Sequence, residues 1–277
     1  MLNRTLKMAF WVLYDHLGKL ILANVVWALA ILAPGVVGAT AFMTGDLGLM
    51  LVIGAPMIVL VAGVVAPVMT AGLVYMAKGL IDTRDGSFLD LFRGVKLYWR
   101  RAVGVGFAYL LAAVCLPVSV WFYATKLRET APWLGYAISA LALWCILFLG
   151  FMAMLVLPAL VQKKAGVLGT LKLTALLVLD NPLFCIGLAI QFLVVAGISV
   201  IPPVFVFLSG AMAVALASSA YEMLARKYAL VQMNQEGAAD TERPINVISK
   251  AGVFVYDESK DDYLNRGFRD FLFPWKG

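Results

Sequence analysis

Few side chains in this 277-residue sequence are equipped for chemistry, and they stand far apart. The single histidine, His16, cannot by itself build a bis-imidazole haem site or a His-rich zinc site. The acids Asp46, Asp180 and Glu222 lie at the edges of long apolar runs, not inside them. Asp180, followed by Asn181 and Pro182, reads as a capping acid with proline in the first turn of a helix. Asp46, Lys126 and Glu129 are a sparse set of ionisable groups at the other ends of such runs. No phosphate-binding glycine loop, Gly-x-Ser-x-Gly elbow or His-Glu-x-x-His pair occurs. These residues predict no enzyme, no cofactor and no metal. Two amides remain, Asn24 and Gln191, strongly polar side chains within otherwise apolar runs. Such amides glue helices together, or bind a hydroxylated ligand if both face one cavity.

The elements that would position them are set by composition. The chain is 63% hydrophobic and 14% charged, with a mean hydropathy of +0.92, whereas a soluble domain carries about 25% charged residues. Charge is missing from several windows of about 20 residues, the length that crosses the hydrocarbon core as a helix. Backbone amides cannot be left bare in lipid, and barrel strands would alternate where these runs are continuous. The sequence therefore predicts an all-α integral membrane protein. Its six spans fall at about Lys19–Met43, Leu49–Met76, Ala102–Tyr123, Trp133–Val161, Leu183–Ile201 and Val204–Leu224. Residues 1–224 form the transmembrane domain and 225–277 a tail with a short helix at 259–274. The sequence "GATA" at Gly38–Ala41 has the small residues of a leader cleavage site, but the partly apolar, amphipathic segment before it favours a retained first span. Cys115, Cys145 and Cys185 share no local spacing and read as small buried hydrophobes.

Lys and Arg set the direction. Of the 22 in the chain, 20 fall on one side of this six-span arrangement and 2 on the other. By the positive-inside rule both termini are cytoplasmic, and the net charge of +6 reflects membrane topology, with no nucleic acid implied.

Between the second and third runs lies "DTRDGSFLDLFRGVKLYWRRAV". Ser87 and Asp90 have capping-box spacing. Phe88, Leu91, Phe92, Val95 and Tyr98 then share one helical face, with Arg93, Lys96 and Arg100 opposite. That pattern predicts a short helix in the plane of the membrane surface, either a topological hinge or a binding face. Similar segments, Arg4–Leu20 and Gly166–Phe184, precede the first and fifth spans, suggesting a threefold repeat of surface helix plus hairpin. Pro67, Thr70 and Gly72 predict a kinked, closely packed second span, with Thr70 bonded back to a carbonyl. Ser209, Ala213, Ala217 and Ala220 give the last span a small-residue face for close packing. In the tail, Leu264, Phe268, Phe271, Leu272 and Trp275 line one stripe, which needs the membrane, the protein's own loops or a partner to cover it.

The segment "PVMTAGLVYMAKGLIDTRDGSFLDLFRGVKLYW" (Pro67–Trp99) resembles the YesL-like family of bacterial membrane proteins. The resemblance rests on Pro67, Thr70 and Gly72, then Tyr75, Asp85 and Gly86, then Phe88, Phe92, Arg93 and Lys96. Asn24 and Trp27 are similar to an Asn-x-x-Trp of that family's first span, and "MLVLPALVQKKAGVLGTLKLTALLVLDNPLF" to a later block. The resemblance implies a bacterial inner-membrane protein, often encoded beside carbohydrate uptake and degradation genes. The leading expectation is a non-enzymatic accessory or regulatory protein of a membrane complex, its partners being the bilayer and another membrane protein or a second copy. The alternative is a small-solute permease with a polar path near Asn24 and Gln191.

Overall fold

The computed structural model describes residues 1–127, 131–163, 166–239 and 262–266. It is all-α, with no strand among the described residues. We number the helices α1 (Leu2–Asp15), α2 (Leu17–Met43), α3 (Leu47–Asp82), α4 (Leu89–Leu127), α5 (Pro132–Gln162), α6 (Val167–Asp180), α7 (Pro182–Ile198), α8 (Pro202–Ala229, helical onward to Ala239) and α9 (Asp262–Asn265). Helices α2, α3, α4, α5 and α8 are long and apolar enough to cross a membrane. The pair α6 and α7, bent by 103°, is long and apolar enough to cross only when taken together. This is a multi-pass membrane protein.

The bend has a local cause. Proline cannot donate a helical hydrogen bond and pushes the residue before it out of the helical region. Asn181, before Pro182, accordingly sits at φ −131°, ψ 56°. Helix α7 then has 17 residues, the lower limit of the roughly 17–25 that span a bilayer. Its return to α8 is a tight turn just before Pro202 and Pro203, the gap between the fifth and sixth predicted spans.

The middle member of the expected repeat differs. No break separates the aromatic-basic segment from the third span: both belong to a helix continuous over Leu89–Phe122. Nothing between Arg101 and Ala102 interrupts the ladder, whereas His16 and Asn181 do so at the corresponding points of the other two units. The predicted capping box is present, since the Ser87 N–H donates to Asp90 Oδ2 at 2.7 Å and the Leu89 N–H to Ser87 Oγ at 3.3 Å. The helix of the last span continues past Leu224, as far as Ala239.

Helix α8 is the central pillar. Its most apolar 18-residue window is 61% buried, against 11–22% for the other four long spans. Ser209, Ala217 and Ala220 of the small-residue face are buried within the chain. Around α8 pack α1, α2, α3, α5 and α7. Helix α1 contributes Met8, Trp11 and Val12 to the core it shares with Leu73, Met76 and Leu80 of α3.

Helices α3 and α4 form the tightest pair, and glycine is what permits it. A Cβ on Gly94 would lie 2.6 Å from the Tyr75 Cβ, and one on Gly72 2.7 Å from the Leu91 carbonyl oxygen. Farther along, a Cβ on Gly106 would lie 2.3 Å from the Gly63 carbonyl oxygen and 2.5 Å from the Pro67 ring. Pro67 has no N–H for the carbonyl four residues before it, and that carbonyl is Gly63's. The preceding turn, Val61–Val65, is widened to a π-helix, with the Ala66 N–H reaching back to the Val61 carbonyl. The same device precedes Pro56, where the Ala55 N–H reaches Met50. The Pro67–Gly72 segment is thus a packing joint against α4.

Candidate functional site

The predicted polar residues fall into separate places. Asn24 is fully buried, and its amide is wholly engaged by the backbone of α8. Nδ2 donates to the carbonyls of Phe205 (3.1 Å) and Val206 (2.8 Å), and Oδ1 accepts the Ala211 N–H (2.8 Å). These groups belong to a π turn over Phe205–Ser209 and the first helical turn after it. An opened turn exposes backbone groups that lipid cannot satisfy; Asn24 satisfies them. One turn on, the Trp27 indole donates to Thr70 Oγ1 at 2.9 Å, so Thr70 bonds across to α2, where back-bonding within its own helix was expected. Gly210 makes room, since a Cβ there would lie 2.7 Å from Asn24 Oδ1 and 2.9 Å from the Trp27 ring. Asn24, Trp27 and Thr70 form a knot that ties α2 to α3 and α8.

Gln191 is not part of it. Its Oε1 is buried on α7 without a hydrogen-bond partner. Tyr109, Ser218 and Ser219 likewise hold buried oxygens with no partner. The convergence of Asn24 and Gln191 on one ligand is not what these bonds describe, because every polar atom of the Asn24 side chain already serves α8.

The aromatic-basic segment divides its residues between two faces. Tyr98 is buried, and its hydroxyl donates to the Val161 carbonyl at 3.0 Å; Phe88 is half-buried against the core. Both were expected on an interaction surface; Tyr98 instead joins α4 to α3 and α5, and Phe88 packs on the core. The amphipathic pattern was read correctly, but its apolar side meets protein. Phe92, Arg93 and Lys96 point outward, together with Leu89, Trp99 and Arg100. Arg93 pairs with Asp90 at 2.9 Å, an exposed pair that contributes little to stability.

Asp180 does not cap α7. It accepts hydrogen bonds from the Tyr228 hydroxyl and from Asn181 Nδ2, with the Lys227 ammonium 3.9 Å away. Asn181, itself buried, also donates to Tyr228 and accepts from Lys227. The cluster fastens the α6–α7 bend to the end of α8. Cys185 is buried as expected, but Cys115 and Cys145 are exposed and line an apolar groove between α4 and α5. Among the described residues no three His, Cys, Asp or Glu side chains come together as metal ligands would.

The tail supplies the least expected contact. Phe268, Phe271 and Trp275 lie outside the described residues, but Asp262–Asn265 is helical, within the predicted 259–274, and docks on the protein's own helices. Tyr263 is 2% exposed. Its hydroxyl lies 3.3 Å from both the Leu80 carbonyl, to which it donates, and His16 Nε2. The Arg84 guanidinium sits 4.8 Å above its ring. Lys7 donates to the Leu264 carbonyl at 2.5 Å, and Arg266 pairs with Asp15 while lying over Trp11. Arg84 has φ +58°, the one positive φ at a non-glycine position among the described residues, which carries a conformational cost of about 1 kcal/mol or more. Sequence reasoning missed Tyr263, Arg266 and Arg84 because each contact joins positions 179 or more residues apart. The stripe of larger apolar groups in the tail was the stronger local signal.

This strap responds to pH in a defined direction. Burial, and then the Lys19 ammonium, hold the His16 imidazole below its ordinary pKa of 6.5; Asp15 opposes them, and Arg84 and Arg266 add to the lowering. A base whose folded pKa is depressed contributes stability above its unfolded pKa, and that stability is lost as pH falls through 6.5 toward the folded value. Hydrogen exchange of residues 262–266, corrected for intrinsic rates, should therefore quicken between pH 7.5 and 5.5. Tyr263→Ala should quicken it by about tenfold at either pH. Equal protection in parent and variant would show that the docked segment is not held by Tyr263.

Comparison of the chain with models of protein families, with curated proteins and with solved structures finds no match.

Proposed function

We propose that this is a non-enzymatic protein of the bacterial inner membrane, with both termini cytoplasmic, acting as an accessory or regulatory subunit of a membrane complex. The observation that carries this reading is how the polar groups are used. Asn24, Trp27 and Thr70 are spent on joining helices, while the exposed aromatic and cationic groups gather on the outer face of the first turns of α4. Phe92 and Trp99 are 47% and 48% exposed there, beside Arg93, Lys96 and Arg100. Aromatic residues with arginine are the composition of binding hot spots. The resemblance of Pro67–Trp99 to the YesL-like family, with its link to carbohydrate uptake, agrees with a transport complex as the partner.

Photo-crosslinking in intact cells tests this. Probes at Phe92, Lys96 and Trp99 should join one and the same polypeptide, and probes at the lipid-facing Leu111 and Leu141 should not. Crosslinks to lipid alone from the α4 face, together with sugar uptake by the purified chain in liposomes, would favour the permease.

A further inference from the structure

We propose that the crevice between α5, α6 and α8 is a binding site for one anionic glycerophospholipid drawn from the leaflet at the basic end. This inference does not depend on the accessory reading.

The crevice has a volume of about 640 Å³, within the roughly 300–1,000 Å³ of ligand pockets. Its walls are apolar: Leu173, Leu176 and Leu177 of α6 face Leu224 and Ala225 of α8. Its rim is polar, formed by Lys163, Asp180 and Tyr228. An amphiphile fits that division, with a hydrocarbon chain along the leucines and a polar head at the rim. A soluble metabolite would leave the leucine walls unmatched.

The charges select the head. Asp180 already accepts from Tyr228 and Asn181 and has Lys227 3.9 Å away, so its charge is balanced within the protein. The Lys163 ammonium has no acidic partner among the described residues, and Lys172 is exposed on the same α6. The rim therefore presents a net positive charge, the complement of a headgroup phosphate. The source is the bilayer, because α6 turns away from α7 by 103° and exposes Leu168 and Leu179 (82% and 67%) along its outer side. A helix so placed lies along hydrocarbon, and the crevice behind it opens to lipid.

Native mass spectrometry of the full chain in mild detergent, titrated with phosphatidylglycerol or phosphatidylcholine of the same chains, tests the site. The first bound lipid should favour phosphatidylglycerol by about fivefold or more. Lys163→Ala should weaken that first phosphatidylglycerol by about fivefold, whereas Lys96→Ala, which removes an equal charge from the exposed face of α4, should not. Ala225→Trp, which fills the crevice and keeps both lysines, should weaken the first lipid of either kind. Equal binding of the two lipids, an equal loss with Lys96→Ala, or undiminished binding in Ala225→Trp would overturn the proposal. So would displacement of the lipid by millimolar inorganic phosphate, which marks a site for the head alone.

Discussion

Asn24→Leu should destabilise the folded bundle by roughly 3 kcal/mol, a larger effect than removal of any other polar side chain within the spans. A side-chain hydrogen bond inside a membrane contributes on average about 0.6 kcal/mol, because the separated helices find other partners. Asn24 is a different case. It makes three bonds, all to backbone groups of one widened turn and the helical turn that follows it. Leucine would leave the Val206 carbonyl and the Ala211 N–H without partners in an apolar interior, each at about 1–1.5 kcal/mol, while the Phe205 carbonyl keeps the Ser209 hydroxyl. Gln191→Leu provides the comparison. Its Oε1 has no partner to lose, so the change should be neutral or slightly stabilising. Unfolding by heat or by increasing mole fraction of a denaturing detergent separates the two. Equal stability of the Asn24 and Gln191 variants would remove the knot from the account of this fold.

The second large effect is expected at Gly106. An added methyl usually stabilises an exposed helix, since alanine is favoured over glycine by about 1 kcal/mol. At Gly106 the methyl would meet the Gly63 carbonyl at 2.3 Å, and a backbone group cannot swing aside as a side-chain tip does. Gly106→Ala should therefore cost about 3 kcal/mol, the upper part of the overpacking range. Gly150 faces open space, and Gly150→Ala should be neutral or better. Gly104 is intermediate, because its methyl would meet only the Val167 side chain at 2.8 Å. A melting temperature for Gly106→Ala no lower than that of Gly150→Ala would contradict the close crossing of α3 and α4.

How far the sequence could be read follows from the range of each interaction. Hydropathy is local, so the spans, the helical class and the break before Pro182 were all legible from neighbouring residues. Amphipathicity is local too, but it reports only that one face is apolar. It does not say whether that face meets lipid or protein, and so Phe88 and Tyr98 were placed on a surface when both pack on the core. The proline at position 67 was visible, but the purpose of the widened turn before it depends on Gly106, and nothing near Pro67 names that partner. Thr70 offered an ordinary local bond, yet Trp27, 43 positions earlier, claims its oxygen. Cys115 and Cys145 were read as buried because apolar neighbours surround them in sequence; in a membrane such neighbours also mark the outside. Asp180 had the local grammar of a cap, and a tyrosine 48 residues later took it instead.

The position of α8 at the centre has a consequence for biogenesis. The ribosome delivers Asn24 first, and the turn it must close follows 181 residues later. At roughly 5–20 residues per second, the nascent chain holds that amide unmatched for about 10–35 s. Throughout that interval the earlier spans surround a vacancy, and α1 has no pillar to rest on. Assembly of the bundle is therefore post-insertional, and a chain that stalls before Gly210 presents the membrane's proteases with a hollow ring of helices.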